Sequence, residues 1–384
     1  MGFKEQLTRY KNGEATAEEI KAVEEELEKN ELINEYLAEH ILAGSELPQP
    51  PAGDAEAKKV RRAVNRRLAV TIVASVLLVA VLALLTVFVG LPMYDRAFYN
   101  PNEGYQNRFG TTQFLADVSA YTELHFPGMI TGSAKAEPLG MGEYDIAIHQ
   151  WNTFGGNDAF YRDRIVRGKA QNALYEFYHF PAINVFYDIG GASEKQDAAS
   201  YSYYVEELKR LPETAWVSAY ISFARDIDMQ EFAALKQRYE GMNFRWVAVR
   251  VTDDHFFGTQ IGFEPTGSGI VIEDLVPKEK YPAFELADCE RGPNGYSPET
   301  LETHFKTLVQ YLADRDAFIK ALGEVNNIRP GVYYRGVLDY VNQNGVKSYG
   351  VLVHGHVGDI LRFLDEDITN SVFVEDVKLS RLER

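Results

Sequence analysis

Cysteine is almost absent from this 384-residue chain, which holds Cys289 alone. No intramolecular disulfide can form and no multi-cysteine zinc site is available, so any exported part must be stable by packing alone. Positive charge is also scarce. There are 39 Lys and Arg against 56 Asp and Glu, a formal net charge of −17, which argues against direct nucleic-acid binding. The local signatures of common hydrolases and nucleotide-binding enzymes are missing: no G-x-S-x-G, S-x-x-K, H-E-x-x-H or G-x-x-x-x-G-K-[ST] occurs. Gly267-x-Gly269 has no third glycine and reads as a loop before a strand. The residues therefore disfavour an enzyme and call for no cofactor.

What is present is ordinary globular composition, 46% hydrophobic and 25% charged, with length enough for two or three domains. One run departs from it. From Leu68 to Leu91 the chain reads LAVTIVASVLLVAVLALLTVFVGL, 24 residues without a charge. As a helix this run is roughly 36 Å long, enough for a hydrocarbon core of about 30 Å. It stands too far from the first residue for a signal peptide and has no clear cleavage site after it. Lys58, Lys59, Arg61, Arg62, Arg66 and Arg67 immediately precede it, while the other flank offers only Arg96 nearby. The positive-inside rule then places the N-terminus in the cytoplasm and residues 92–384 outside, with one crossing of the lipid bilayer. The same cations can touch anionic lipid.

Before the span the charge is lopsided. Residues 1–54 carry 13 acids and 5 bases, a net −8, and residues 55–67 carry 6 bases and 1 acid, a net +5. Thr16 and Glu19 have the spacing of a capping box, so a helix should begin at Ala17. Ile20, Val23 and Leu27 follow at helical spacing; Asn30 is expected to break or bend the helix, and Ile33, Leu37 and Ile41 then define a further face. Upstream, Phe3, Leu7 and Tyr10 form another stripe that ends at Asn12-Gly13, a natural C-cap. Three short helices over residues 1–47 bury little apolar surface, so a partner should complete their core. A basic soluble protein suits the acidic faces. Residues 45–53, SELPQPPAG, read as a linker into a basic juxtamembrane helix; together they make up a segment at 48–67.

Outside the span an α+β domain is expected over 211–384. AWVSAYISFAR, IDMQEFAALKQRY and NFRWVAVRV read as strand, helix and strand. The order returns in KSYGVLVHGH, VGDILRFLDED and SVFVEDVKLS, a weak internal duplication, after a long amphipathic helix from Pro298 to Leu322. Residues 92–210 read as strand-rich: a helix at TTQFLADVSAYTEL, then strands at EYDIAIHQWNTF, NALYEFYHF and INVFYDI. His354 and His356 share one side of an extended segment and could bind a metal if a third ligand converged, but such a pair recurs by chance and more often marks a strand end. Asp253, Asp254 and His255 read as a turn, and no metal site is assigned.

The stretch YKNGEATAEEIKAVEEELEKNELINEYL, the single span, and the outer motifs LPETAWVSAYISFARDIDMQEFAALKQRYEGMNFRWVAV and NQNGVKSYGVLVHGHVGDILRFLDED together resemble the membrane-anchored anti-sigma factors, the sigma factor regulators of Bacillus and relatives. The resemblance is nearly full length, though 100–210 is less distinctive. It implies that the N-terminal helices bind an extracytoplasmic-function sigma factor and keep it from core RNA polymerase. The outer domain would report envelope stress, and a small companion membrane protein can take part. Many such regulators carry a His-x-x-x-Cys-x-x-Cys zinc motif; with no cysteine before position 289, this would be a zinc-free version. The partner-binding stripe is then Phe3, Leu7, Tyr10, Ile20, Val23, Leu27, Ile33 and Leu37. A different class of reading remains beside it: a signal-anchored extracytoplasmic binding or envelope-assembly protein, for which residues 1–67 would be dispensable. A metallohydrolase using His354 and His356 is a third.

Overall fold

The computed structural model describes residues 8–13, 15–42, 55–95, 98–104, 112–155, 158–171, 198–253, 261–267, 275–322 and 330–379. The chain divides into two compact units, Met1–Leu84 and Leu85–Arg384.

In the first unit a helical turn over residues 8–11 ends where Gly13 turns back at φ +72, its N–H donating to the Tyr10 carbonyl at 3.2 Å. A left-handed residue is what a helix C-cap requires. Helix α1, Ala17–Leu42, starts at the expected residue. It differs from the expectation in one respect: it is a single helix of 26 residues that runs through Asn30. The Asn30 amide donates to the Glu26 carbonyl one turn back at 2.9 Å, so its side chain is satisfied along the helix. Asn in a helix interior costs at most about 0.7 kcal/mol relative to Ala, and the flanking Glu, Lys and Leu are good helix formers.

Helix α2, Ala55–Leu85, carries the basic cluster and most of the apolar run without a break. It continues through a π-helical turn, Thr86–Gly90, into α3, Leu91–Asp95. Residues 61–94 form a helix long and apolar enough to cross a membrane, which fits a single-pass anchor.

The second unit contains two antiparallel sheets. The first is a meander, β1 (Met129–Gly140), β2 (Glu143–Asn152), β3 (Ala159–Val166) and the short β4 (Lys169–Ala170), preceded by α4, Gln113–His125. Tight turns at 141–142 and 167–168 join β1 to β2 and β3 to β4. The NALYEFYHF and INVFYDI segments expected as strands lie outside the described residues. Helix α5, Ala198–Lys209, leads into the second sheet.

That sheet has the order β7-β6-β8-β5-β9, every pairing antiparallel. Its strands are β5 (Trp216–Asp228), β6 (Asn243–Val249), β7 (Gly262–Phe263), β8 (Lys347–His356) and β9 (Thr369–Lys378). Helix α6, Met229–Arg238, connects β5 to β6, and α10, Val357–Leu364, connects β8 to β9. Between them lie α7 (Pro298–Asp314), α8 (Asp316–Leu322) and α9 (Pro330–Asn344). Each strand-helix-strand unit leaves room for a strand of the other, so β8 lies between β5 and β6, and β5 between β8 and β9. Two interlocked split units make a ferredoxin-like sheet, which accounts for the apparent internal duplication.

Both faces of this sheet are covered. On one, Phe223, Phe232, Phe244 and Phe363 meet edge-to-face beneath α6 and α10. On the other, Tyr220, Trp246, Ala248, Tyr349 and Leu352 form a smaller cluster, and the Trp246 indole donates to the Glu123 carbonyl of α4 at 2.8 Å. Each such large side chain contributes roughly 1.5–3 kcal/mol when fully buried.

The amphipathic stretch expected as one helix from Pro298 to Leu322 is two. It breaks at Arg315, whose backbone leaves the helical region at φ −103, ψ 42. The Arg315 guanidinium reaches the fully buried carboxylate of Asp117 in α4, with Nε–Oδ1 at 2.7 Å and a terminal nitrogen to Oδ2 at 2.8 Å. Tyr311 and Tyr99 donate to the same carboxylate at 2.6 and 3.0 Å. Burial opposes the charge on Arg315, but the Asp117 carboxylate outweighs it and raises the guanidinium pKa. Four donors on one buried acid make a satisfied network, and such networks cost several kcal/mol to break from one side.

Candidate functional site

The expected site residues fall into three groups. Phe3 and Leu7 lie outside the described residues, as does the side chain of Leu37, whose backbone is in α1. Val23 is fully buried, so it supports the packing of the first unit and offers no surface as the unit stands. Tyr10, Ile20, Leu27 and Ile33 are exposed, and so are Leu32 and Tyr36 beside them. Leu27, Leu32, Ile33 and Tyr36 each keep between 47% and 60% of their surface in contact with solvent. Glu24, Glu25, Glu26 and Glu28 are exposed on the same helix.

Continuity of α1 changes the geometry of these side chains. At about 100° per residue, Ile20, Val23 and Leu27 fall within one narrow arc, whereas Leu32, Ile33 and Tyr36 centre roughly 160° around the axis. Asn30, Glu31 and Asn34 occupy the positions that would have continued the first stripe. Leu32 and Tyr36 therefore look nearly opposite to the first stripe, and Ile33 lies about 110° from it. A flat surface can cover one of them; covering both requires a groove or two elements of a partner.

Of the topology residues, Lys59, Arg61, Arg62, Arg66 and Arg67 are exposed around the start of α2, and the Lys58 side chain lies outside the described set.

His354 and His356 are packed residues. His354 is buried with its ring edge-on to Phe154, and His356 packs edge-on to Trp216. Burial, with the cations Arg245 and Lys378 nearby, pushes the His354 pKa down to about 3. Among the described residues no group of three or more His, Cys, Asp or Glu is arranged to hold a metal ion. Asp253 accepts a hydrogen bond from the Tyr340 hydroxyl at 2.9 Å, and Asp254 and His255 lie outside the described residues. Two polar centres escaped the reading of the sequence. One is Asp117 with its four donors; the signal was a lone acid inside the apolar helix FLADVSAY. The other is His304, whose Nδ1 donates to the Ala283 carbonyl and Nε2 to Glu123, both at 2.7 Å. A carbonyl at one ring nitrogen and a carboxylate at the other favour the protonated ring: burial lowers its pKa, the Glu123 carboxylate raises it, and the net shift is upward.

Against known proteins, residues 208–376, from the end of α5 into β9, match the family model described as sigma factor regulator C-terminal. Along 401 aligned residues, 98% of both chains, the sequence is 24% identical to the probable anti-sigma-M factor YhdL of Bacillus subtilis strain 168. The resemblance to membrane-anchored sigma factor regulators is thereby borne out. No solved structure matches the chain.

Proposed function

We propose that this chain is a single-pass anti-sigma factor. Its N-terminal residues, on the cytoplasmic side of the anchor, sequester an extracytoplasmic-function sigma factor, and its outer unit adjusts that grip in response to envelope stress. The observation that carries the reading is α1: among its described residues, one hydrophobic side chain is buried, two apolar stripes are open to solvent and acids surround them. Such a helix gains most of its stability from a partner. A sigma factor that supplies apolar pockets on two sides and basic residues at the rim matches both stripes and the charge. The exposed basic cluster at the start of α2 supports the orientation, because the side of a span that is rich in Lys and Arg stays in the cytoplasm. A small companion membrane protein fits the same arrangement as a second element that closes around α1 or the sigma factor.

The test is co-purification of residues 1–67 with each extracytoplasmic-function sigma factor of the host in turn. A stable one-to-one complex with one member supports the proposal and names the target. If no member binds while the segment is soluble and helical, and none binds when the host's small membrane proteins are co-expressed, the inhibitor reading fails. A full-length chain lacking residues 1–54 that kept its phenotype would then favour the signal-anchored binding protein.

A further inference from the structure

The turn between β1 and β2 is built from Gly140, Met141 and Gly142, all with positive φ. Gly suits such backbone; Met does not, and a bulky residue there carries a cost of order 1 kcal/mol or more. Turn positions ordinarily go to Gly, Asn or Asp, which take this conformation and face water. Here Leu139 and Met141 are instead 49% and 56% exposed. An isolated exposed apolar residue needs no explanation. Two on one strained hairpin tip, placed as these are, do.

The placement follows from short contacts within the second unit. Tyr94 in α3, at the end of the spanning helix, packs edge-to-face on Phe98 with ring centroids 5.1 Å apart. The Phe98 ring in turn presses on the turn: a Cβ added at Gly142 would lie 3.0 Å from its Cδ2. The neighbouring β3–β4 turn joins the same cluster. The Arg167 N–H donates to the Gly142 carbonyl at 2.8 Å, and a Cβ at Gly168 would lie 3.2 Å from the Tyr99 nitrogen. Both hairpin tips thus sit around the point where the chain leaves the span, and the exposed Arg167 and Lys169 flank the apolar pair.

We propose that the β1–β2 tip is a membrane-docking element. Leu139 and Met141 enter the headgroup and acyl boundary of the leaflet from which the span emerges, Tyr94 lies at the same level, and Arg167 and Lys169 meet lipid phosphates. Tyr is favoured at that depth, and long cationic side chains reach headgroups from it. The occupant is the bilayer because the span itself brings the bilayer there: Phe98 is three residues beyond Asp95, a reach of at most about 11 Å. The inference rests on the membrane anchor and is independent of what the N-terminal helix binds.

The experiment uses the full-length chain carrying Cys289→Ser and one new cysteine, either Met141→Cys or Phe160→Cys. Each is labelled with an environment-sensitive fluorophore in nanodiscs of phosphatidylcholine and phosphatidylglycerol, with plain or brominated acyl chains. Phe160 is 73% exposed and lies on β3 six residues from the turn end, roughly 20 Å along the strand. Docking predicts that the probe at 141 is blue-shifted and loses most of its emission to bromine, while the probe at 160 keeps its emission. Lack of quenching at 141 overturns the proposal. So does equal quenching at both positions, which would lay the sheet face on the bilayer. A blue shift at 141 without bromine quenching also overturns it and indicates a protein cover, such as a second copy. An unchanged thermal transition of each labelled protein shows that the fold tolerates the probe.

Discussion

The two units differ in what closes their apolar surface. In the second unit dozens of hydrophobic side chains from α4 to β9 are buried in one continuous cluster, and its five-stranded sheet is covered on both faces. In the first unit Val23 is buried, while Leu27, Leu32, Ile33 and Tyr36 stay open along one helix. The contrast follows from sequence. Strands such as YISFA and VLVHG, fed by helices with a single apolar face, can fold back on one another; the described part of α1 buries Val23 and leaves apolar side chains on two other faces open. Among the described residues, one unit encloses its apolar surface and the other leaves part of it open.

The largest effect is expected from Asp117→Ala, which leaves the Arg315 guanidinium and two tyrosine hydroxyls without their shared acceptor. Denaturant unfolding of the outer unit should show a loss of about 4 kcal/mol, with the helicity of the N-terminal segment unchanged. A loss under about 1 kcal/mol would mean that the network is replaceable.

Next is the acid limb of outer-unit stability. His354 has a folded pKa depressed to about 3 against an ordinary value of 6.5. The stability it contributes is therefore present above pH 6.5 and lost as pH falls toward 3. Between pH 8 and pH 5 this amounts to about 2 kcal/mol. His354→Leu should flatten that part of the stability-versus-pH curve, and an unchanged slope would remove His354 as its cause. His304 acts in the opposite sense. Its folded pKa is raised, so its contribution is full below 6.5 and declines as pH rises through the folded value.

In the N-terminal unit, Leu27→Asp and Ile33→Asp should each weaken sigma-factor binding by about 2 kcal/mol, on the order of thirty-fold. Stability of the free protein should stay within about 0.5 kcal/mol. Titration calorimetry and thermal melts read the two quantities separately. Because the two residues lie on different stripes, the loss of only one contact would show a partner that covers one side of α1. The smallest change is expected from Arg238→Ala, which removes an exposed pair with Glu366 at 2.8 and 2.9 Å. It should cost the outer unit less than about 1 kcal/mol.

Much of the outer sheet was legible because its strands are apolar runs bounded by clear helices, and the repeated strand-helix-strand order announced the split pairing. Sequence order does not say which strand inserts between which, and the interleaving of β8 and β5 comes from the pairing register alone. Asn30 and Arg315 were misread for a shared reason. Local propensity cannot tell a satisfied Asn inside a helix from one that ends it, and it cannot foresee that Arg315 is drawn out of a helix by Asp117, 198 residues away. The exposed α1 stripe was visible as periodicity. Its division into two directions was not, because that depends on the helix being continuous.

The Tyr99 hydroxyl, bonded to Asp117, has a mechanical meaning for the molecule. Four residue steps separate Asp95 from Tyr99, at most about 14 Å of chain, and the far end is fastened to a carboxylate in the middle of the outer core. Tyr99 is thus a mooring: whatever path the intervening residues take, the chain that leaves the spanning helix is tied back within that length to the core of the second unit.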